Sequence, residues 1–195
     1  MPDGASLAAD VASRGQYLFS AEEFRRLPLP HDLKVELIEG VLVPMSPVGP
    51  AHYSVIYLLE LVLRPAVEPQ YRVRGESSVQ LGDRTQVQPD IAVIKARDDG
   101  YRRRLPGPTD IMLLVEVADS TLSRDRRDKV PLYALHGIQE FWLVSVAEKR
   151  IEIYRDAVDG VFQSVHTVDE DGVLSPLGAP EAQIQVRSLF ADDGE

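Results

Sequence analysis

Cysteine is absent from the 195 residues. That excludes disulfides, thiolate metal sites and thiol nucleophiles, so any metal must be held by oxygen or imidazole, and hard cations become the natural candidates. Long apolar runs are missing as well: nothing approaches the roughly 20 consecutive residues that span a bilayer. The opening "MPDGASLAADVASRG" lacks the basic-then-apolar pattern of a secretory signal. Both absences predict a cytoplasmic protein with no membrane segment. No G-x-x-x-x-G-K-[ST] run or G-x-S-x-G elbow occurs, and His31, His52, His136 and His166 have no zinc spacing. No organic cofactor is therefore expected. Positive charge is also scarce, with 21 Lys and Arg against 31 Asp and Glu for a net charge of −10. A field of that sign repels nucleic acid. The basic residues nevertheless gather at Tyr101-Arg102-Arg103-Arg104 and at Arg124-Asp125-Arg126-Arg127-Asp128-Lys129. Taken alone, such runs are most simply solvated surface.

What is present is enough apolar residue, 44% of the chain, to bury one substantial core. Residues 1–16 have no periodicity and read as a flexible arm, residues 17–190 as a single domain, and 191–195 as a tail. Ser20 and Glu23 form a capping-box pattern, flanked by Phe19 and Phe24 at staple positions, and Pro28 and Pro30 close the short helix that follows. Alternating apolar residues from Lys34 to Val43 on either side of Glu39-Gly40 predict a hairpin. Val55, Ile56, Leu59, Val62 and Leu63 predict a helix from about Ala51, ended by Pro65. Strand-like segments follow at Tyr71–Leu81, Ile91–Ile94, Ile111–Val117 and Phe141–Val146. A helix is predicted over Ser123–His136, with a bend or late start at Pro131. A second hairpin spans Arg150–Tyr154 and Val161–Val165 through Asp159-Gly160. Gln183–Val186 and a turn near Leu189-Phe190 complete the pattern. The fold class expected is mixed α/β, a sheet with helices packed against it.

Two apolar strands each carry one acid: "VQPDIAV" has Asp90 and "IMLLVEV" has Glu116. An unpaired carboxylate in a core costs several kcal/mol. If the strands are neighbours, the two acids converge, and one hard divalent cation satisfies both. Pro89 fits because it lacks a ladder donor and belongs at a strand start, which places Asp90 at the rim of the sheet. Lys129, on the helix after the Glu116 strand, is placed to bring an ammonium back toward that rim and to polarise a phosphate or orient a water. The residues leave a second reading open: Asp90 caps its strand, Glu116 pairs with an arginine of 102–104, and Lys129 pairs with Asp125 at i, i+4.

The segments "VELIEG", "SPVGPAH", "VQPDIAV", "LLVEVADST", "RDRRDKVPLYALHGIQEFWLV" and "RIEIYR" occur in the order seen in the Uma-two family. The chain resembles this bacterial group of restriction-endonuclease-like proteins over about residues 17–190. The resemblance implies a PD-(D/E)xK nuclease core, a central mixed sheet flanked by helices with added hairpins. It implies Asp90 and Glu116 as ligands of Mg²⁺ or Mn²⁺ and Lys129 as the catalytic lysine moved onto the following helix. The usual lysine position, two residues after Glu116, holds Ala118. Glu36 of "VELIEG" is implied as a further acidic contributor, Glu39 serves the hairpin turn, and His52 matches a histidine often found there, whose plainer role is packing or capping. The activity implied is metal-dependent hydrolysis of DNA phosphodiesters; exposed β edges such as the 150–165 hairpin lead to the expectation of a homodimer. A non-catalytic dimeric scaffold that keeps the nuclease fold is the alternative.

Overall fold

The computed structural model describes residues 17–30 and 33–190. The arm expected over 1–16, the tail expected over 191–195 and His31 lie outside the described residues. Order begins at the capping box. Glu23 N–H donates to Ser20 Oγ at 3.2 Å and Ser20 N–H to Glu23 Oε2 at 2.8 Å, which opens α1 (Ala21–Phe24). Phe19 and Phe24 then pack in one small cluster with Leu37.

The first hairpin joins β1 (Val35–Ile38) to β2 (Val41–Pro44). Glu39 and Gly40 take φ of +49° and +84°, the left-handed pair that a two-residue turn of matching twist needs. Next comes α2 (Pro50–Val67), with Val55, Ile56, Leu59 and Leu63 on its buried face. The expectation that Pro65 ends this helix is not met. Val67 is buried in the core one turn beyond Leu63, and a proline so near the helix end sacrifices little of the hydrogen-bond ladder.

The segment Tyr71–Leu81, expected as one extended run, is two strands in different sheets: β3 (Tyr71–Gly75) and β4 (Val79–Gly82). Between them Glu76 adopts φ +43° and its N–H donates to the Asp90 carbonyl at 2.9 Å, which turns the chain. Then follow β5 (Thr85–Val87), β6 (Ile91–Lys95), β7 (Ile111–Ala118), α3 (Leu122–Leu135) and β8 (Glu140–Ser145). Of the bend or late start expected at Pro131, the late start is absent: α3 already begins at Leu122. The second hairpin, β9 (Arg150–Val158) and β10 (Val161–Val168), and the short pair β11 (Val173–Leu174) and β12 (Ile184–Gln185) complete the chain.

A central six-stranded sheet runs β10-β9-β8-β7-β6-β3. It is mixed: β7 and β8 are parallel, joined by α3, and the other pairs are antiparallel. A smaller antiparallel sheet runs β2-β1-β5-β4. Pleating divides the core in two. Ile91, Val93, Leu113, Val115 and Val117 pack on α2 and the C-terminal segment. Ala92, Ile94, Leu114 and Ala118 face the other way, onto Leu132 and Tyr133 of α3 and Val79 and Leu81 of the small sheet. No helix among the described residues is long and apolar enough to cross a membrane.

The turn at Gly40 gives a test of this arrangement. A Cβ there would lie 2.8 Å from that of Leu18, and a left-handed non-glycine residue costs about 1–2 kcal/mol on its own. Gly40→Ala is expected to lower the unfolding free energy measured in urea by at least that amount, and an unchanged midpoint contradicts the turn assigned here.

Candidate functional site: a buried lysine among three acids

Register brings the two strand acids together. Ile91 pairs with Val115 across the antiparallel β6–β7 ladder, so one step further sets Asp90 opposite Glu116. Residues opposite one another share a face of the sheet. That face is the one covered by α3, since Glu116 alternates with Leu114 and Ala118. Asp90 Oδ2 accepts the Val117 backbone N–H at 2.7 Å, and His52 Nε2 of α2 meets Asp90 Oδ1 at 3.0 Å. The carboxylate is therefore fixed from two sides. His52, whose plainer sequence reading was packing or capping, is buried and bound to the candidate acid.

Lys129 comes from α3, with Asp125 one turn before it and Tyr133 one turn after, on one side of the helix. Its Nζ lies 2.8 and 2.7 Å from the two Glu36 oxygens and 3.2 Å from Glu116 Oε1. Glu36 Oε1 also accepts the Gln88 N–H at 2.9 Å, so this acid is occupied in holding the lysine. The Tyr133 hydroxyl donates to Glu116 Oε1. The alternative pairings read from the sequence are not formed. Arg104 pairs with Asp110, and Asp125 accepts a bond from Thr121. Glu39 takes the role in the turn expected of it, accepting from Thr85 Oγ1 at 2.7 Å with His136 Nε2 at 3.0 Å.

The charges do not balance. Three carboxylates, Glu36, Asp90 and Glu116, face one ammonium and one imidazole. Burial pushes the Glu116 carboxyl up to about 8; Lys129 pulls it down, while Asp90 and Glu36 push it higher. For Lys129 burial works against the charge, but Glu116 and Glu36 outweigh it and raise the ammonium above its ordinary range. Burial likewise lowers His52, and the Asp90 hydrogen bond and charge more than reverse it, so the imidazole is raised. The cluster opens onto a cleft of about 260 Å³ that is also lined by Thr121, Arg124 and Asp128.

The donor set suits a hard divalent cation: two carboxylates on one face, in a region with surplus negative charge. Lys129 engages both oxygens of Glu36, whereas Lys129 and Tyr133 meet Glu116 at Oε1 alone, so Asp90 and Glu116 are the side chains suited to hold it. Among the described residues no group of three or more His, Asp or Glu is arranged to ligate an ion. An ion held by two carboxylates and otherwise by water matches the habit of Mg²⁺. Tyr133 escaped the sequence reading, although its i+4 spacing from Lys129 was there to see. Within α3 it reads as core, and 0% of it is exposed.

The fold is a mixed central sheet with helices on both faces. One solved structure similar to it is described as a putative nuclease belonging to DUF820 from Anabaena variabilis, with a TM-score of 0.72 and 22% identity, covering 88% of this chain and 97% of that one. No curated protein matches. The family model Uma2, described as "Putative restriction endonuclease", matches residues 21–187. The chain belongs to that family.

Two measurements test the geometry. Lys129→Met leaves Glu36 and Glu116 buried without their cation, and breaking a buried pair from one side costs about 3–5 kcal/mol. A loss of that size is expected in chemical denaturation; a loss below about 1 kcal/mol, the range of an exposed pair, would contradict the buried triad. The second concerns pH. Glu116 binds its proton more tightly folded than unfolded, so its contribution is complete below its unfolded pKa and disappears as pH rises through about 8. In EDTA the protein is expected to lose stability over that interval, and Glu116→Gln to flatten the loss.

Proposed function

We propose that this chain is a metal-dependent DNA endonuclease, with residues 17–190 as its one catalytic domain. The observation that supports it is the meeting of Asp90, Glu116 and Lys129, from two strands and a helix, on one face at the mouth of one cleft. In this reading Asp90 and Glu116 hold Mg²⁺ or Mn²⁺. When bound, such an ion supplies Lewis acidity and a water acidic enough to attack a phosphodiester near neutral pH.

The remaining work belongs to the chain. His52 donates to Asp90 Oδ1 while the Val117 N–H occupies Oδ2, so the carboxylate is aimed without a rotamer search. Glu36 clamps Lys129 so that its ammonium stands beside Glu116, where it offsets charge growing on phosphate oxygens. The amine enters from α3 because Ala118, at the position two residues after Glu116, is sealed in the core with no exposed area.

Homodimer formation is part of the same proposal. It is supported by the free edge of β10, where Val161 and Val165 are 60% and 54% exposed.

The test is cleavage of plasmid and single-stranded DNA by the purified chain with Mg²⁺ or Mn²⁺. Cleavage is expected to vanish in EDTA and in Asp90→Ala and Glu116→Ala. Activity that survives both substitutions would remove the site. Metal binding by calorimetry without cleavage of either substrate would favour the non-catalytic scaffold.

A further inference from the structure

A second concentration of charge lies around Tyr101, apart from the Lys129 cleft. Tyr101 is buried at φ +61°, and its hydroxyl donates to the Lys95 carbonyl at 2.9 Å. The guanidiniums of Arg74, Arg97 and Arg104 stand 5.4, 5.3 and 5.3 Å from its ring centroid. Each is also engaged by the protein: Arg74 with the Gly100 carbonyl, Arg97 with Asp99, Arg104 with Asp110.

Arg102 and Arg103 differ. Both are exposed, and neither has an acidic partner among the described residues. Among the described residues Arg25, just past α1, meets only the neutral amide oxygen of Gln80, at 3.0 Å. These three arginines line one shallow concavity of about 310 Å³ with Gln80, Tyr101 and Leu105.

Like charges held this close repel one another, and a chain with ten more acids than bases has ample means to neutralise them. It does so for the inner arginines and leaves the outer ones open. Guanidinium is the planar, weakly hydrated fork that matches phosphate oxygens in pairs. Tyr101 lies beneath the arginines with its ring already covered, so no stacking platform is offered to a base. A phosphodiester backbone passing over the surface fits better.

The location agrees. Tyr101 packs with Tyr133 of α3 in the core on the face of the central sheet that carries Glu116. Gln80 on β4 pairs with Gln86, and Gln86 with Leu37 on β1, so Gln80 shares a face of the small sheet with Leu37 while Glu36 faces the other way. The arginines thus stand outside the Lys129 cleft, where a strand that enters the cleft continues over the surface. We propose that Arg25, Arg102 and Arg103 form a backbone anchor for nucleic acid, gripping phosphates away from the bond presented to Asp90 and Glu116. The position of that bond rests on the nuclease reading; the anchor does not.

The experiment is fluorescence anisotropy of a labelled duplex several helical turns long, with the full chain in EDTA across a salt series. Arg102→Ala/Arg103→Ala is expected to bind about tenfold more weakly at low salt, with a slope of log K against log salt shallower by about 2. Arg187→Ala, which removes an exposed arginine paired with Asp171, is expected to leave both unchanged. Equal affinity and slope in wild type and the double variant overturn the anchor. So do equal losses in Arg187→Ala, and so does absence of binding by the wild type at the lowest salt. Because cleavage is silent in EDTA, the two readings fail separately. A chain that binds through these arginines but never cuts loses the nuclease reading and keeps the anchor; one that cuts with binding unaltered in the double variant does the reverse.

Discussion

One ammonium shared between two buried carboxylates ties the site to the fold. Lys129, Glu36 and Glu116 lie far apart in the chain, on α3, β1 and β7, and each ion taken from water alone would cost several kcal/mol. Together they satisfy one another only if the helix, the small sheet and the central sheet dock in one arrangement. The small sheet is thus more than a decoration on the core. Without β1 the lysine would have a single partner, and its head group would be drawn toward the cleft and water.

The central sheet was largely legible because its physics is local. Unbroken apolar runs bounded by turn residues mark β6, β7 and β8, and the single acid in each of β6's approach and β7 stands out against them. Pro89 marks the strand start, and the register that sets Asp90 across from Glu116 follows once the strands are neighbours. The break within Tyr71–Leu81 was hidden. It depends on Glu76, a residue with no intrinsic preference for φ +43°, held there by a hydrogen bond to Asp90, 14 positions on. Pro65 misled for the opposite reason: a local rule was overridden by the burial of Val67. In the site, an acid in a strand is conspicuous, but the partners of that acid are chosen by tertiary packing. Tyr133 offers only its i+4 spacing from Lys129 and His52 only its match to a histidine often found there, and neither signal by itself separates a site residue from ordinary core.

The surplus of negative charge in the cleft is consistent with this division. A carboxyl as enclosed as Glu116 keeps its proton until a nearby positive charge compensates its ionisation, and one lysine also shared with Glu36 compensates only partly. A site built only for stability would pair its acids one to one or replace them with apolar groups, which pack as well without desolvation. Burial is the largest cause that raises the Glu116 carboxyl, Lys129 opposes it, and the charges of Asp90 and Glu36 add to it.

Net charge says little about any one part of a protein surface. The value of −10 is a sum over a surface of 11173 Å². Exposed charges further apart than about 8–10 Å are largely screened at physiological ionic strength. Asp169, Glu170 and Asp171 follow β10, at the edge of the sheet remote from β3 and β6, while the open arginines follow β6. Strand order places β9, β8 and β7 between them, so a ligand approaching Arg102 is governed by the neighbouring guanidiniums more than by the total. Within the segment between β6 and β7 the acids Asp99 and Asp110 are paired with Arg97 and Arg104, and Arg102 and Arg103 stand outside those pairs.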